Sequence, residues 1–138
     1  MKYDIPEFER NNIKAGKDLT LSSGEVISNE LMTADPVGVR SYAYCSDTAY
    51  NEGIIEQIEG VDILYHEATF TEAHTDRAKE TYHSTAGQAA QIAAKANVKK
   101  LLLGHFSARY KDLVPLLDEA MAIHNNTELV VEGKTYDI

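Results

Sequence analysis

From residue 40 onward this chain repeats one arrangement that leaves few folds open to it: a short apolar run, the length of a buried strand, ends on a side chain able to bind a metal or move a proton. Ser41-Tyr-Ala-Tyr-Cys-Ser-Asp47 ends on a carboxylate followed by Thr48. Val61-Asp-Ile-Leu-Tyr65 runs into His66-Glu67-Ala68-Thr69-Phe70, and Lys99-Lys-Leu-Leu-Leu-Gly104 runs into His105-Phe106-Ser107-Ala108-Arg109-Tyr110. In layered α/β proteins the ends of buried strands are where ligands and catalytic groups collect. Three such ends point to one shared site.

The segments between these runs have helical character, so the layout is α/β. The pattern predicts a strand over 40–46, a helix near 51–58, a strand over 61–65, helices over 71–79 and 84–96, a strand over 99–103, a helix over 111–124, and strands over 127–131 and 134–137. The helix at 84–96 is the best specified. Ser84 and Thr85 are N-cap types, the alanines between 86 and 94 supply an apolar face, and Asn97 closes it. Glu132-Gly133 is a turn signal between the last two strands. Residues 1–39 read as an irregular or β-rich lead-in, with short strands at 18–21 and 26–31 around the Ser22-Ser-Gly-Glu25 turn.

At 138 residues the chain has the size of one domain and is long enough to bury roughly 68% of its unfolded surface. The balance of 22 acidic to 13 basic residues, net −9, argues against non-specific binding of nucleic acid or membrane through the whole surface. Cys45 has no cysteine partner in the chain, which fits a reducing compartment. No stretch approaches the ~18 apolar residues of a membrane span, and Met1-Lys-Tyr-Asp-Ile-Pro lacks a signal-peptide core. The expectation is a soluble cytoplasmic protein.

Taken singly, the candidate residues have ordinary alternatives. Asp47 could ligate or bridge hard cations, but a cap for the Ala49-Tyr50 segment is the more common use of such a residue. His105 could be a terminal zinc ligand, although a lone histidine after a strand is more often structural. Glu67 together with His83 is more telling, because a carboxylate beside an imidazole raises its basicity and fixes its tautomer, giving a general acid for a leaving alkoxide. His74 and His124 lie among polar residues and read as solvated. Tyr42 and Tyr44 alternate on a strand and read as core or sheet-face packing.

Jointly, Tyr44-Cys-Ser-Asp-Thr-Ala-Tyr50, His66-Glu-Ala-Thr-Phe70, His83-Ser-Thr85 and Leu101-Leu-Leu-Gly-His-Phe-Ser-Ala-Arg-Tyr110 resemble the C-terminal half of ribonuclease Z, the tRNA 3′-processing endonuclease of the metallo-β-lactamase superfamily. The resemblance runs in order over residues 40–110. It implies half of a four-layer αββα sandwich, with one mostly mixed sheet carrying helices on its outer face. By the same resemblance, Asp47 is a carboxylate that bridges two zinc ions and His105 a terminal ligand of one. Glu67 and His83 become the acid pair that protonates the leaving 3′ oxygen, and Ser107 with Arg109 would meet phosphate. The implied reaction is two-metal phosphodiester hydrolysis that removes the 3′ trailer from precursor tRNA.

The chain departs from the family in lacking any His-x-His-x-Asp-His loop, the source of most zinc ligands. Two ligands fall short of the three that catalytic zinc usually takes, so zinc should bind weakly or not at all and this chain alone should be inert. The expectation is a fragment of a longer protein whose N-terminal half is a partner, and whose uncovered sheet face favours a homodimer. Two other classes stay open: another hydrolase of the same fold, acting on phosphodiesters or aryl sulfates, and a non-catalytic dimerisation module.

Overall fold

The computed structural model describes residues 5–34 and 38–138. It divides into two compact units, Met1–Gly38 and Val39–Ile138.

In the first unit a single turn of 3₁₀ helix leads into α1 (Arg10–Lys14), and β1 (Leu19–Thr20) pairs antiparallel with β2 (Val26–Ile27). Ile13, Leu19 and Ile27 form its small core. The expected strand over 26–31 stops at Ile27. Residues Asn29–Leu31 form a 3₁₀ turn instead, because the Asn29 amide donates to the carbonyls of Ile13 (2.7 Å) and Lys17 (3.0 Å) and pulls the chain back toward α1. The least regular stretch of the sequence, 7–16, is therefore largely helical.

The second unit is built on four strands in the order β3 (Tyr42–Cys45), β4 (Ile63–Glu67), β5 (Lys100–Gly104) and β6 (Thr127–Leu129). All four run parallel, and the antiparallel pairing expected of a mixed sheet is confined to β1 and β2. Register sorts the side chains into two faces. Ala43, Leu64 and Leu101 align on one, followed by Cys45, His66, Leu103 and Leu129. Against this face pack the alanines of α3 (Ala86–Lys95) and Leu116 and Ala120 of α4 (Val114–Met121). Small residues on α3 let it lie close to the strands, and burial of Leu64, Leu101, Leu103, Leu116 and Ile92 stabilises the packing at about 25 cal/mol per Å² of apolar surface.

Among the described residues of this unit, no helix packs on the opposite face. Tyr42 and Tyr44 stand exposed on it, with Tyr44 stacked on Tyr65 at 4.6 Å between ring centres. Tyr42, Ile63, Tyr65, Leu102, Val130, Tyr136 and Ile138 border a cavity of about 310 Å³ there.

Two local devices set the helix ends. Thr85 accepts from the Gln88 N–H (3.1 Å) while the Gln88 side chain accepts from the Thr85 N–H (3.0 Å), a reciprocal cap that starts α3. Asn97 ends it in the left-handed conformation (φ 51°). The helix expected over 51–58 is 3₁₀ throughout (Glu52–Gln57), and that over 71–79 is a 3₁₀ turn followed by α2 (Thr75–Glu80).

The strand expected over 134–137 does not form. The Glu132-Gly133 turn is present, with Lys134 N–H donating to the Val131 carbonyl (3.1 Å). The Val131 N–H, however, donates to the Tyr136 hydroxyl (2.9 Å) and not to a partner strand. Tyr136 thus takes the hydrogen bond a hairpin would have used.

At the start of the sheet Asp62 accepts from the Ser41 N–H (2.7 Å), the Ser41 hydroxyl (2.9 Å) and Lys99 (2.6 Å). The Lys99 ammonium, with the two Ser41 donors, holds the Asp62 carboxyl down at about 2.

Candidate functional site

Because Cys45, His66 and Leu103 are aligned across β3, β4 and β5, the residues that follow these strands emerge side by side at one edge of the sheet. Asp47 and His105 leave their strands with φ of 49° and 59°, in the left-handed region that non-glycine residues avoid. Such backbone costs of order 1–3 kcal/mol and persists where the surrounding structure over-determines it, most often at functional sites. His83 arrives from the loop between α2 and α3, directly after Tyr82, which is also left-handed (φ 58°).

Glu67, fully buried, is the hub. One of its oxygens accepts from the Thr48 N–H (2.7 Å) and from His83 Nδ1 (2.8 Å). The other accepts from the Thr69 hydroxyl (2.6 Å) and the Ser84 N–H (3.1 Å). Burial pushes the Glu67 carboxyl up, but the hydrogen bonds from Thr69, His83, Ser84 and Thr48 together outweigh it, so Glu67 titrates below the usual range and is ionised at neutral pH.

His105 Nε2 lies 3.2 Å from an Asp47 carboxylate oxygen, and the His83 and His105 rings are 5.3 Å apart. Asp47, His83 and His105 each offer a ligand atom, and these atoms lie within 4.8 Å of one another. One carboxylate and two imidazoles at that separation are a donor set suited to zinc or a similar divalent ion. The sequence pattern separates a ligand pair, Asp47 and His105, from an acid pair, Glu67 and His83; the fold joins them into one cluster through His83.

Ser107 and Arg109 are also neighbours. Arg109 Nε donates to the Ser107 hydroxyl (3.2 Å), and its guanidinium lies over the Phe70 ring at 4.9 Å, which in turn meets His83 edge-on at 6.2 Å. Beside His83, a cavity of about 250 Å³ is bordered by Ala49, Tyr50, Thr75, Lys79 and Gln88.

Two histidines are less solvated than their sequence context indicates. His74 Nδ1 bonds the Tyr110 hydroxyl (3.0 Å) and Thr71 hydroxyl (3.2 Å), and Tyr110 also accepts from the Thr71 N–H (3.1 Å). His124 Nε2 donates to the Val98 carbonyl (2.9 Å). Both are half-buried structural residues, because polar flanks in sequence do not report what a later helix or loop brings against them.

Thr69 belongs to the His66-Glu-Ala-Thr-Phe70 motif but takes no role of its own from the sequence pattern, yet its hydroxyl contacts Glu67, His105 Nδ1 (2.9 Å), the His105 carbonyl (3.0 Å) and His83 Nδ1 (3.3 Å). His66 points to the helix-covered face. Its Nδ1 bonds the Glu67 carbonyl (2.8 Å), its Nε2 is buried without a partner among the described residues, and burial pushes its pKa down.

The family model described as "Beta-lactamase superfamily domain" matches residues 19–106. The sequence is 54% identical over 131 residues to ribonuclease Z of Bacteroides thetaiotaomicron, covering 95% of this chain and 42% of that protein. The chain thus spans about two-fifths of the length of the curated relatives it matches. Among solved structures it is similar to the metallo-beta-lactamase fold protein YhfI from Bacillus subtilis, with TM-score 0.67 at 23% identity over 72% of this chain and 41% of that one. It is also similar to a long form RNase Z from yeast, with TM-score 0.54 at 33% identity over 63% of this chain and 12% of that one. The chain belongs to the beta-lactamase superfamily, and the stretch of that fold it carries is homologous to ribonuclease Z.

Proposed function

We propose that this chain is one half of the active centre of a zinc-dependent endoribonuclease that removes 3′ trailers from tRNA precursors. The observation that carries the reading is the convergence of Asp47, His83 and His105 within 4.8 Å, with His83 held by buried Glu67 at 2.8 Å. In the complete enzyme Asp47 and His105 would hold zinc, whose role when bound is Lewis acidity toward a phosphodiester. His83, its Nδ1–H directed to Glu67, protonates the leaving 3′ oxygen from its other nitrogen. Ser107 and Arg109, bonded to each other with the Arg109 guanidinium over Phe70, would meet phosphate.

The partners in this reading are precursor tRNA and the remaining half of the sandwich. In that half's absence the chain forms a homodimer through the face that exposes Tyr42 and Tyr44, since apolar area left in water costs about 25 cal/mol per Å². The site of action is the cytoplasm, where tRNA precursors are processed; no helix among the described residues is long and apolar enough to cross a membrane.

The test uses the complete enzyme. Asp47→Ala or His105→Ala lowers zinc content and abolishes precursor cleavage together, whereas full zinc occupancy with retained cleavage in either variant overturns the ligand assignment. His83→Ala slows cleavage of RNA far more than hydrolysis of an activated aryl phosphodiester, whose leaving group needs no proton. Equal losses on both substrates would make His83 structural.

A further inference from the structure

Proton counting around Thr69 assigns it a role. Its hydroxyl is buried and has one hydrogen to give, and four atoms are within reach: a Glu67 oxygen at 2.6 Å, the His105 carbonyl at 3.0 Å, His105 Nδ1 at 2.9 Å if that nitrogen is bare, and His83 Nδ1 at 3.3 Å, which is itself directed to Glu67 at 2.8 Å and so is no competitor for the hydrogen. The Glu67 oxygen is the shortest contact and, as one of a carboxylate's two acceptor-only oxygens, takes the proton. The Thr69 oxygen is then left as an acceptor 2.9 Å from His105 Nδ1, and a stable contact at that distance requires Nδ1 to carry the hydrogen. In the neutral ring the lone pair is thereby forced onto Nε2, the atom 3.2 Å from Asp47.

We infer that Thr69 is a positioning residue that relays the charge of Glu67 to His105, fixing the tautomer in which Nε2 is free to bind metal. Glu67 therefore sets both imidazoles of the cluster from one buried carboxylate: His83 directly through its Nδ1 at 2.8 Å, and His105 through the Thr69 hydroxyl. This explains why a threonine two residues beyond Glu67 is buried with its hydroxyl turned into the site, where an alanine or valine would pack as well. The inference rests on the reading of His105 as a ligand, but its first consequence, the tautomer, exists without any metal.

The experiment compares this chain with Thr69→Val, which keeps the shape and removes the hydroxyl, and Thr69→Ser, which restores it. Imidazole ¹⁵N chemical shifts, recorded on metal-free protein at a pH of about 8.5 where histidines are ordinarily neutral, report the tautomer directly. Wild type and Thr69→Ser carry the His105 hydrogen on Nδ1. Thr69→Val moves it toward Nε2, where Asp47 can accept it. Zinc affinity, measured by competition with a chelator, falls about 10- to 100-fold in Thr69→Val and recovers in Thr69→Ser. An unchanged His105 tautomer in Thr69→Val, with the fold intact by circular dichroism, overturns the relay. If the tautomers follow this pattern but zinc affinity is the same in every variant, the relay stands and the ligand assignment of His105 fails. Should Thr69→Val not fold, Thr69→Ala removes the same hydroxyl, and an unchanged His105 tautomer there also overturns the relay.

Discussion

Glu67→Gln separates the charge of the hub from its shape. The amide is isosteric with the carboxylate, but one of its two heteroatoms is a donor. One Glu67 oxygen faces the Thr48 N–H and His83 Nδ1, the other the Thr69 hydroxyl, the Ser84 N–H and, at 3.4 Å, the Thr69 N–H. Whichever way the amide turns, its NH₂ confronts at least a pair of donors and two close charge-assisted hydrogen bonds are lost. At about 1.5–3 kcal/mol each the loss is ~3–6 kcal/mol. Removing a buried charge recovers part of this, and the Thr69 hydroxyl can rotate to accept, so the expected net destabilisation is about 3 kcal/mol. With a urea m-value of about 2 kcal/mol per M, the unfolding midpoint followed by circular dichroism drops by about 1.5 M. A Glu67→Gln chain within ~0.5 kcal/mol of wild type, the scatter of an ordinary surface change, would refute the account of Glu67 as the fully bonded centre of this edge.

Gly104→Ala sets a Cβ 2.6–2.7 Å from ring atoms of Tyr65, itself stacked on Tyr44, and costs about 1–3 kcal/mol as overpacking; in a Tyr65→Ala background the same change is nearly neutral, and equal costs in both backgrounds would place the strain elsewhere. His66 is neutral in the fold and protonates more readily in the unfolded chain, so stability present above a pH of ~6.5 is lost as pH falls below it, by up to ~1.4 kcal/mol per unit. Urea titrations between pH 5 and 8 should show this slope in wild type and a shallower one in His66→Leu. Identical slopes would clear His66. Asp62 should titrate at about 2 by NMR, and Lys99→Ala should raise that value; no change would leave Ser41 alone holding the carboxylate.

What the sequence discloses here is set by chain distance. Strand ends are local: an apolar run followed by Asp47, Glu67 or His105 is visible in ten residues, and parallel pairing brings such ends together. The α3 cap is local too, since Thr85 and Gln88 bond each other across three residues. The failures are contacts that close over long loops. Asn29 draws the chain back to Ile13 across 16 residues, and His74 is drawn inward by Tyr110, 36 residues away. Thr69 reaches His105 across the same separation, so nothing in its neighbourhood of the chain marks its role.

The central claim is that Asp47 and His105 are zinc ligands held ready by the fold, and zinc uptake by this chain tests it most directly. Equilibrium dialysis against a zinc series, followed by elemental analysis, should show one weak site, because at most three protein donors converge among the described residues. Asp47→Ala and His105→Ala should each abolish it while leaving the circular dichroism spectrum unchanged. Zinc uptake that persists unchanged in both variants would contradict the claim.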